Sequence, residues 1–238
     1  MHISEHTAFV TGGASGLGEA VVRHLHQSGA NVVVADLSAK RGQALQEELG
    51  KRALFVPADV SEEEEVRKAV RMGVEQFGGI HFAVCCAGVG PAKRVLGKEG
   101  PMPLDFFTRV IQVNLNGTFN TVRLAAEAMV TNPQEGDGER GVVIMTASVA
   151  AFEGQVGQAA YSASKGGIVA MTLPIAREFA TIGIRVMTIA PGLFDTPLLA
   201  SMPEEVRQSL GKQVPFPAGS AGLGNSPSLW AMSSPTPC

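Results

Sequence analysis

Short runs of apolar residues alternate along the chain with longer stretches in which apolar residues recur at every third or fourth position. The short runs predict β-strands, and the periodic stretches predict amphipathic helices. The predicted strands span residues 7–11, 31–35, 53–57, 81–86, 141–146 and 184–190. One predicted helix ends near residue 28, and the others span residues 38–49, 62–77, 104–113, 117–130 and 161–181. Before the third helix, Ser61 and Glu64 have the spacing of a capping box.

This alternation of strands and helices predicts an α/β fold of one domain, a doubly wound parallel sheet with helices on both faces. Ligands of such sheets bind beyond the carboxyl ends of the strands. The pattern ends at about residue 214, so residues 1–214 are predicted to form the folded domain. Of the 24 residues from 215 to 238, thirteen are Gly, Pro or Ser and none is charged, which predicts a disordered tail.

Composition excludes several classes of protein. Apolar residues make up 45% of the chain and charged residues 17%, which is typical of a globular core rather than of a disordered or fibrous protein. The formal net charge of −3 argues against nucleic acid or a membrane surface as the main partner. Because all five histidines lie within the first 81 residues and the chain has three cysteines, neither a metal site nor a Ser-His-Asp triad is supported.

The sequence also carries a prediction about location. No apolar run approaches the length of about 18 residues that a membrane span needs, and the first residues lack the basic and apolar regions of a signal peptide. A cytoplasmic protein is therefore expected. Cys85 and Cys86 lie inside an apolar run, where they are interpreted as small buried hydrophobic residues.

A glycine-rich turn, residues 11–18, links the first strand to the first helix. Glycines permit a tight turn and a close approach of the backbone to a pyrophosphate, and the helix N-terminus offers free N–H groups to the anion. An ordinary β–α loop would show the same glycines. However, Asp36 ends the second strand 24 residues after Gly12, where a carboxylate can bind the adenine-ribose hydroxyls and repel a 2′-phosphate. NAD is therefore favoured over NADP, with Asp59 and Val60 expected beside the adenine.

A second group of residues suggests proton transfer. Tyr161 is the one tyrosine of the chain and precedes Lys165 by four residues, so both side chains share a face of the predicted helix. A nearby ammonium lowers the pKa of a tyrosine towards the range useful for acid–base catalysis. Such a pair alone is often a surface coincidence. Ser148, thirteen residues before Tyr161 at the end of the fifth strand, and Asn114 make a catalytic site the stronger interpretation.

Together these motifs resemble the short-chain dehydrogenase/reductase family, in whose order they occur. The resemblance implies a Rossmann-type fold in which Ser148 binds the substrate oxygen and Tyr161 transfers the proton. It further implies that Lys165 holds the nicotinamide ribose and lowers the tyrosine pKa, while Asn114 anchors a water molecule. The implied cofactor contacts are Gly12, Ser15, Gly16, Leu17, Gly18, Asp36, Asp59, Val60, Cys86, Ala87, Gly88, Tyr161, Lys165, Pro191, Phe194 and Thr196.

One departure from the family pattern is visible after the fourth strand. The chain has Cys85-Cys86-Ala87-Gly88 where many members have Asn-Asn-Ala-Gly. Since the close backbone approach needs the alanine and the glycine, contact with the cofactor is expected to persist at Cys86.

Residues 146–217 resemble one subfamily more closely, the type-2 3-hydroxyacyl-CoA dehydrogenases, also called 17β-hydroxysteroid dehydrogenases of type 10. The resemblance implies NAD-dependent interconversion of 3-hydroxyacyl-CoA and 3-oxoacyl-CoA in fatty acid metabolism, with substrate contacts from Ser148, Gln155 and Gln158. An insertion at residues 91–103 also matches. Its basic side chains are Lys93, Arg94 and Lys98. They are interpreted either as contacts for the phosphates of CoA or as part of a solvated loop.

Other functions remain open from the sequence. Within the same family, the chain could be a 3-oxoacyl-carrier-protein reductase or a hydroxysteroid dehydrogenase, and outside it a non-catalytic nucleotide-binding subunit. The resemblance spans residues 5–217, after which family members continue with a helix and a last strand and pack into a homotetramer. Here the irregular tail stands in their place, as a shift of reading frame or a divergent terminus would produce, and this puts the tetramer in doubt.

Overall fold

The computed structural model describes residues 1–200, 204, 211–212 and 219–222. In this part of the chain, six parallel strands form one sheet: β1 (Thr7–Thr11), β2 (Asn31–Asp36), β3 (Ala53–Pro57), β4 (Phe82–Cys85), β5 (Gly141–Thr146) and β6 (Ile184–Ile189). Their order across the sheet is β3-β2-β1-β4-β5-β6. The doubly wound parallel sheet predicted from the sequence is therefore confirmed, and the strands differ from the predicted ranges by no more than one residue at either end.

The helices are α1 (Gly16–Gln27), α2 (Ala39–Leu49), α3 (Glu63–Phe77), α4 (Leu104–Ile111), α5 (Gly117–Met129), α6 (Ala159–Ala180) and α7 (Pro197–Ala200). They cover both faces of the sheet, and each face has its own core. Phe9 and Val33 of the central strands pack in one cluster with α3, α5 and α6. The neighbouring residues Val10 and Val34 point the other way and pack with α1 and α2. This alternation explains why the strands are apolar at successive positions.

Helices α4 and α5 form one continuous helical segment rather than the two separate stretches predicted. A π-helical segment, Gln112–Asn116, joins them and carries Asn114. Such a segment inserts one extra residue per turn and is frequent at functional sites. Between β4 and α4, the predicted insertion forms a small antiparallel hairpin that pairs Leu96–Gly97 with Gly100–Pro101.

The predicted capping box at the start of α3 is wrong. The helix begins at Glu63, and the Ser61 hydroxyl donates a hydrogen bond to Asp59 Oδ1 at 2.6 Å instead of capping the helix. The Ser61 backbone N–H donates to the same oxygen at 2.9 Å. Ser61 therefore orients the Asp59 carboxylate, which lies in one of the cavities described below.

At the opposite end of the sheet, two histidines meet just before β1 and β4. The rings of His6 and His81 lie edge to face with centroids 4.4 Å apart. The Thr7 backbone N–H donates to His81 Nδ1 at 3.2 Å, and His6 Nε2 lies 2.6 Å from Glu135 Oε1. Burial, together with the nearby His6 ring, lowers the pKa of His81 to about 4.

Part of the predicted tail is described, and it contacts the domain. Ala221 forms a parallel bridge with Phe194, in which the Ala221 N–H donates to the Leu193 carbonyl at 2.8 Å. The Asp195 N–H donates to the Ala221 carbonyl at 2.9 Å. Residues 215–218 and 223–238 lie outside the described residues, so the disorder predicted for them stays a prediction. Among the described helices, none is both long and apolar enough to cross a membrane.

Candidate active site

The glycine-rich turn after β1 brings the backbone of two strands into contact. Gly12 has a φ of +64°, and a Cβ atom there would lie 2.7 Å from the Ala87 Cα. A Cβ at Gly18 would collide with the Gly12 carbonyl. The Gly12 N–H donates to the Ala35 carbonyl at 2.8 Å, which fixes the turn to β2. Glycine is therefore required at both positions by space, and at Gly12 also by backbone conformation.

This turn opens onto a cavity of about 260 Å³ at the carboxyl ends of the strands. The first turn of α1 lines it, and the leading N–H groups of a helix have no partner within the helix. Most of the predicted cofactor contacts line this cavity: Gly12, Ser15, Gly16, Leu17, Gly18, Asp36, Asp59, Val60, Cys86, Ala87, Gly88 and Thr196. The arrangement suits an extended anionic ligand.

Asp36 is held firmly at the edge of this cavity. Its Oδ2 accepts a hydrogen bond from the Ala14 N–H of the glycine-rich turn at 3.0 Å, and its Oδ1 accepts one from the Ser38 N–H at 2.8 Å. Each carboxylate oxygen has a further lone pair for a ligand hydroxyl. The carboxylate thus joins the turn, the end of β2 and the start of α2.

Asp59 lies in the same cavity and carries a negative charge at neutral pH. Burial by itself would raise the pKa of this carboxyl, but the two hydrogen bonds from Ser61 hold it below its ordinary value. The guanidinium of Arg109 acts in the same direction from 3.9 Å, measured between Nη2 and Asp59 Oδ2.

A second cavity, of about 390 Å³, adjoins the first. The two share four lining residues, which are Leu17, Cys86, Gly88 and Thr196. Seven further residues that the sequence analysis assigned to cofactor or substrate line this larger cavity: Ser148, Gln155, Gln158, Tyr161, Lys165, Pro191 and Phe194. Residues separated by more than 40 positions in the sequence therefore surround one space.

Tyr161 and Ser148 form a hydrogen-bonded pair in this cavity. Ser148 follows β5 and accepts a hydrogen bond from the Ala150 N–H at 3.1 Å, which leaves its own hydroxyl proton free to donate. Burial raises the pKa of Tyr161 above its ordinary value, and the hydrogen bond with Ser148 opposes this shift in part. The phenol therefore stays protonated at neutral pH.

Lys165 lies one helical turn after Tyr161 and is buried. Its Nζ donates to the Thr146 carbonyl at 2.7 Å and lies 5.7 Å from the centroid of the tyrosine ring. Burial lowers the pKa of Lys165 to about 8. The net shift of the Tyr161 pKa is upward, because the loss of hydration on burial outweighs the hydrogen bond with Ser148. That the Lys165 ammonium lowers this pKa stays a prediction.

Asn114 lies behind the cavity wall rather than in it. The side chain is fully buried, its Oδ1 accepts from the Val89 N–H at 2.8 Å, and its Nδ2 donates to the Val89 carbonyl at 2.9 Å. Nδ2 also lies 3.0 Å from the hydroxyl of Ser164 on α6. Asn114 thus ties the segment after β4 to the helix that carries Tyr161. Its predicted role in anchoring a water molecule stays a prediction.

Cys86 forms part of the wall between the two cavities. Its thiol accepts a hydrogen bond from the Thr146 hydroxyl at 3.7 Å. Burial raises its pKa to about 11, so the sulfur is a neutral thiol near pH 7. Because the thiolate is the nucleophile of cysteine chemistry, Cys86 contributes shape rather than a covalent reaction.

Sequence reasoning missed several lining residues. Leu37 lines the smaller cavity with 68% of its surface exposed, and its position directly after Asp36 is a signal that could have found it. Thr146 and Glu153 line the larger cavity near assigned residues. Arg109 is different, since it lies inside a predicted amphipathic helix and nothing in the local sequence separates it from a solvated surface residue.

Comparison with known proteins supplies independent information. A family model described as short chain dehydrogenase matches residues 6–207. A protein of Bos taurus named 3-hydroxyacyl-CoA dehydrogenase type-2 is 55% identical over 213 residues, which cover 89% of this chain and 82% of that protein. The Drosophila melanogaster protein of the same name is 50% identical over 217 residues, 90% of this chain and 85% of that protein.

Two solved structures are similar along nearly the whole chain. The 3-hydroxyacyl-CoA dehydrogenase type-2 from Mycobacterium avium has a TM-score of 0.90 at 41% identity and covers 96% of this chain and 89% of its own. The 3-ketoacyl-(acyl-carrier-protein) reductase from Brucella melitensis, solved as a complex with NADH, has a TM-score of 0.86 at 28% identity. That alignment covers 97% of this chain and 91% of the reductase.

Proposed function

The chain belongs to the short-chain dehydrogenase family of oxidoreductases, and we propose that it interconverts 3-hydroxyacyl-CoA and 3-oxoacyl-CoA with NAD as its cofactor. One observation carries the proposal: Ser148, Tyr161 and Lys165 line a cavity that shares a wall with the smaller cavity, which the glycine-rich turn lines. Relatives at 50–55% identity that bear the name 3-hydroxyacyl-CoA dehydrogenase type-2 support the choice of substrate.

Three features of the smaller cavity fit a nicotinamide dinucleotide. The close packing at Gly12 lets the backbone approach a pyrophosphate, and the N-terminus of α1 offers N–H groups to it. Asp36 has lone pairs for the hydroxyls of the adenine ribose, and its charge opposes a 2′-phosphate. These features support NAD rather than NADP. In the adjoining cavity, the buried ammonium of Lys165 has N–H donors for the hydroxyls of the nicotinamide ribose.

The chemistry of the reaction divides between the cofactor and the chain. When bound, the nicotinamide ring supplies or accepts the hydride at the substrate carbon. In reduction, the Tyr161 hydroxyl donates its proton to the carbonyl oxygen while the Ser148 hydroxyl donates a hydrogen bond to the same oxygen. In oxidation, the phenolate of Tyr161 removes the proton from the substrate hydroxyl.

The protonation states of Tyr161 and Lys165 determine how reduction and oxidation depend on pH. Because burial raises the tyrosine pKa, the protonated phenol needed for reduction predominates at neutral pH, and oxidation is expected to accelerate as the pH rises. Lys165 carries its charge below about pH 8 and, from its position beside the ring, stabilises negative charge on the phenol oxygen.

The insertion after β4 supports a CoA thioester as substrate. The Lys93 N–H donates to the Gly157 carbonyl at 2.9 Å, which anchors the insertion beside the loop that carries Gln155 and Gln158. The side chains of Lys93, Arg94 and Lys98 are exposed there. Positive charge near the cavity favours the phosphates of CoA, in contrast to the solvated-loop interpretation.

An assay of nicotinamide absorbance with several substrates tests the proposal. The expected result is the highest kcat/KM with NAD and 3-hydroxybutyryl-CoA, and a much lower value with the thioester that lacks the CoA phosphates. A preference for NADPH and a carrier-protein thioester would instead identify a reductase of the same family. Binding of NADH without turnover of any thioester or hydroxysteroid would identify a non-catalytic subunit.

We also propose the homotetramer that the family resemblance implies, which the irregular tail puts in doubt from the sequence alone. Large apolar side chains on two helices support association of copies, since Phe119 of α5 and Leu173 of α6 are about half exposed. Light scattering after gel filtration tests this assembly. Four chains of 24.8 kDa are expected, whereas a mass of one chain would contradict it.

A further inference from the structure

Arg109 lines the smaller cavity, yet its place in the sequence gave no sign of a role. It lies on α4, and its side chain is 64% exposed, so it stands at the boundary between the cavity and solvent. Asp36, Leu37, Asp59 and Val60 line the same cavity. Among the described residues that do so, Arg109 is the one cation, and two of the others are carboxylates.

The contact between Arg109 and Asp59 is loose. Ser61 occupies Asp59 Oδ1 with two hydrogen bonds, and the Arg109 guanidinium approaches Oδ2 at 3.9 Å, beyond hydrogen-bond distance. Arg67 on α3 provides a contrast, since its guanidinium donates to Glu63 at 2.8 Å and to Glu127 at 2.9 Å. Arg109 therefore retains N–H donors and a planar face that a ligand can use, whereas Arg67 is engaged by its neighbours.

The position of Arg109 distinguishes the parts of a dinucleotide. The guanidinium approaches Asp59, which is expected beside the adenine, at 3.9 Å. Among the described residues, the structure shows no hydrogen bond between Arg109 and Asp36, the expected ribose contact. A guanidinium stacks well on the face of an aromatic ring. An adenine ring next to Asp59 offers such a face.

We propose that Arg109 is a cofactor-binding residue that covers the adenine ring, and that the charge of the nearby Asp59 keeps its guanidinium close to that ring. The inference rests on the proposed function, in which this cavity holds NAD. Arg109 then binds the adenine end of the cofactor, as the N-terminus of α1 binds the pyrophosphate. Arg109 contributes to binding affinity and not to proton transfer. It is therefore expected to strengthen the binding of any ligand that contains adenosine.

Calorimetric titration of NADH and of ADP-ribose tests the proposal without reference to turnover. Arg109→Ala is expected to weaken both ligands by the same factor, about three- to thirty-fold, as a stacked cation contributes. Arg109→Lys keeps the charge but loses the planar face, and it is expected to restore less than half of the lost binding free energy. Arg67→Ala, on an exposed arginine of α3 that does not line the cavity, is the matched control and is expected to bind as the unaltered chain does.

Each other outcome contradicts the assignment in its own way. Equal affinities of Arg109→Ala and the unaltered chain would overturn it while leaving the proposed cofactor intact. Full recovery in Arg109→Lys would identify a simple charge effect rather than stacking. A loss for NADH without a loss for ADP-ribose would place the contact at the nicotinamide end rather than at the adenine. Failure of the unaltered chain to bind NADH or ADP-ribose would overturn the proposed cofactor itself, and the role of Arg109 with it.

Discussion

At the scale of single residues, one proton donor and one buried cation dominate the larger cavity. Tyr161 is paired with Ser148, and Lys165 is held by the Thr146 carbonyl, so the fold itself fixes both side chains beside the cavity. Polar groups of this kind are preorganised: folding fixes their orientation, so they need not reorient during a reaction.

Replacing Tyr161 with Phe is expected to lower kcat by about 10²- to 10⁴-fold, since it removes the proton donor while keeping the ring. The Kd of NADH is expected to change by less than about two-fold, because the ring still fills the cavity wall. Stopped-flow turnover and calorimetry measure the two quantities separately. Turnover at more than about a tenth of the original rate would remove Tyr161 from the proton transfer.

Asp36 provides the second prediction at this scale. Asp36→Asn keeps an acceptor for the Ala14 or Ser38 N–H but loses the charge, so NADP binding is expected to improve by about ten-fold while NAD weakens modestly. Asp36→Ala loses both, and NAD is expected to bind at least about ten-fold more weakly. Titration with both cofactors measures the ratio. An unaltered chain that binds NADP as well as NAD would show that Asp36 does not discriminate between them.

The sequence predicted which residues line the two cavities better than it predicted their electrostatics. The spacing of Tyr161 and Lys165 follows from helix geometry, and Asp36 follows from the end of a strand, so both could be found from local pattern. The direction of the Tyr161 pKa could not be, because desolvation depends on which distant segments cover the phenol. Arg109 was missed for a similar reason, since the cavity it lines is made by the ends of β2 and β3.

At the scale of elements, the six strands were predictable because each is a short, mainly apolar run, and the central strands are buried on both faces. The π-helical segment that carries Asn114 was not, because an extra residue in a helical turn is stabilised by tertiary contacts such as the hydrogen bonds of Asn114 to Val89. The capping box failed because the Ser61 hydroxyl found a nearer acceptor in Asp59. Local signals thus located the elements, and competition between polar groups decided their ends.

The starts of β1 and β4 carry a pH-dependent contribution to stability. The pKa of His81 is about 4 in the folded chain and about 6.5 when unfolded, so the unfolded chain binds more protons between these values. The free energy of unfolding is therefore expected to fall as the pH decreases from about 6.5 to 4. Since the ring is half-buried, this contribution is roughly 1–2 kcal/mol after allowance for screening.

His81→Asn tests this contribution, because its side-chain oxygen can still accept the hydrogen bond from the Thr7 N–H. The variant is expected to lose less stability than the unaltered chain between pH 7 and 4.5, as measured by urea unfolding at both values. His2→Asn, at an exposed histidine, is the control and should follow the unaltered chain. Identical pH profiles for all three proteins would show that His81 does not contribute.

At the scale of the whole molecule, the bridge between Ala221 and Phe194 connects a segment near the C-terminus to the rim of the larger cavity. Ending the chain after residue 218 removes both hydrogen bonds that flank Phe194. The KM of the substrate is expected to rise by about five-fold or more, because each such bond contributes about 1 kcal/mol to the order of this rim. Steady-state kinetics measure the change.

A chain that ends after Gly222 retains the bridge and is the matched control for this truncation. It should keep the KM of the full chain. If both truncated chains showed the same KM, the bridge would have no influence on the cavity, and any change would belong to residues 223–238.

The partition shared by the two cavities has a thermodynamic consequence. Leu17, Cys86, Gly88 and Thr196 face both spaces, so a molecule bound on one side restricts the motion of the wall that the other side presents. Two ligands that stiffen the same wall divide a single entropic cost between them, and each then increases the affinity of the other by an equal factor. The ligand that binds first orders the shared wall, so the second ligand has a smaller entropic cost on binding. This reciprocal effect needs no displacement of any helix or strand.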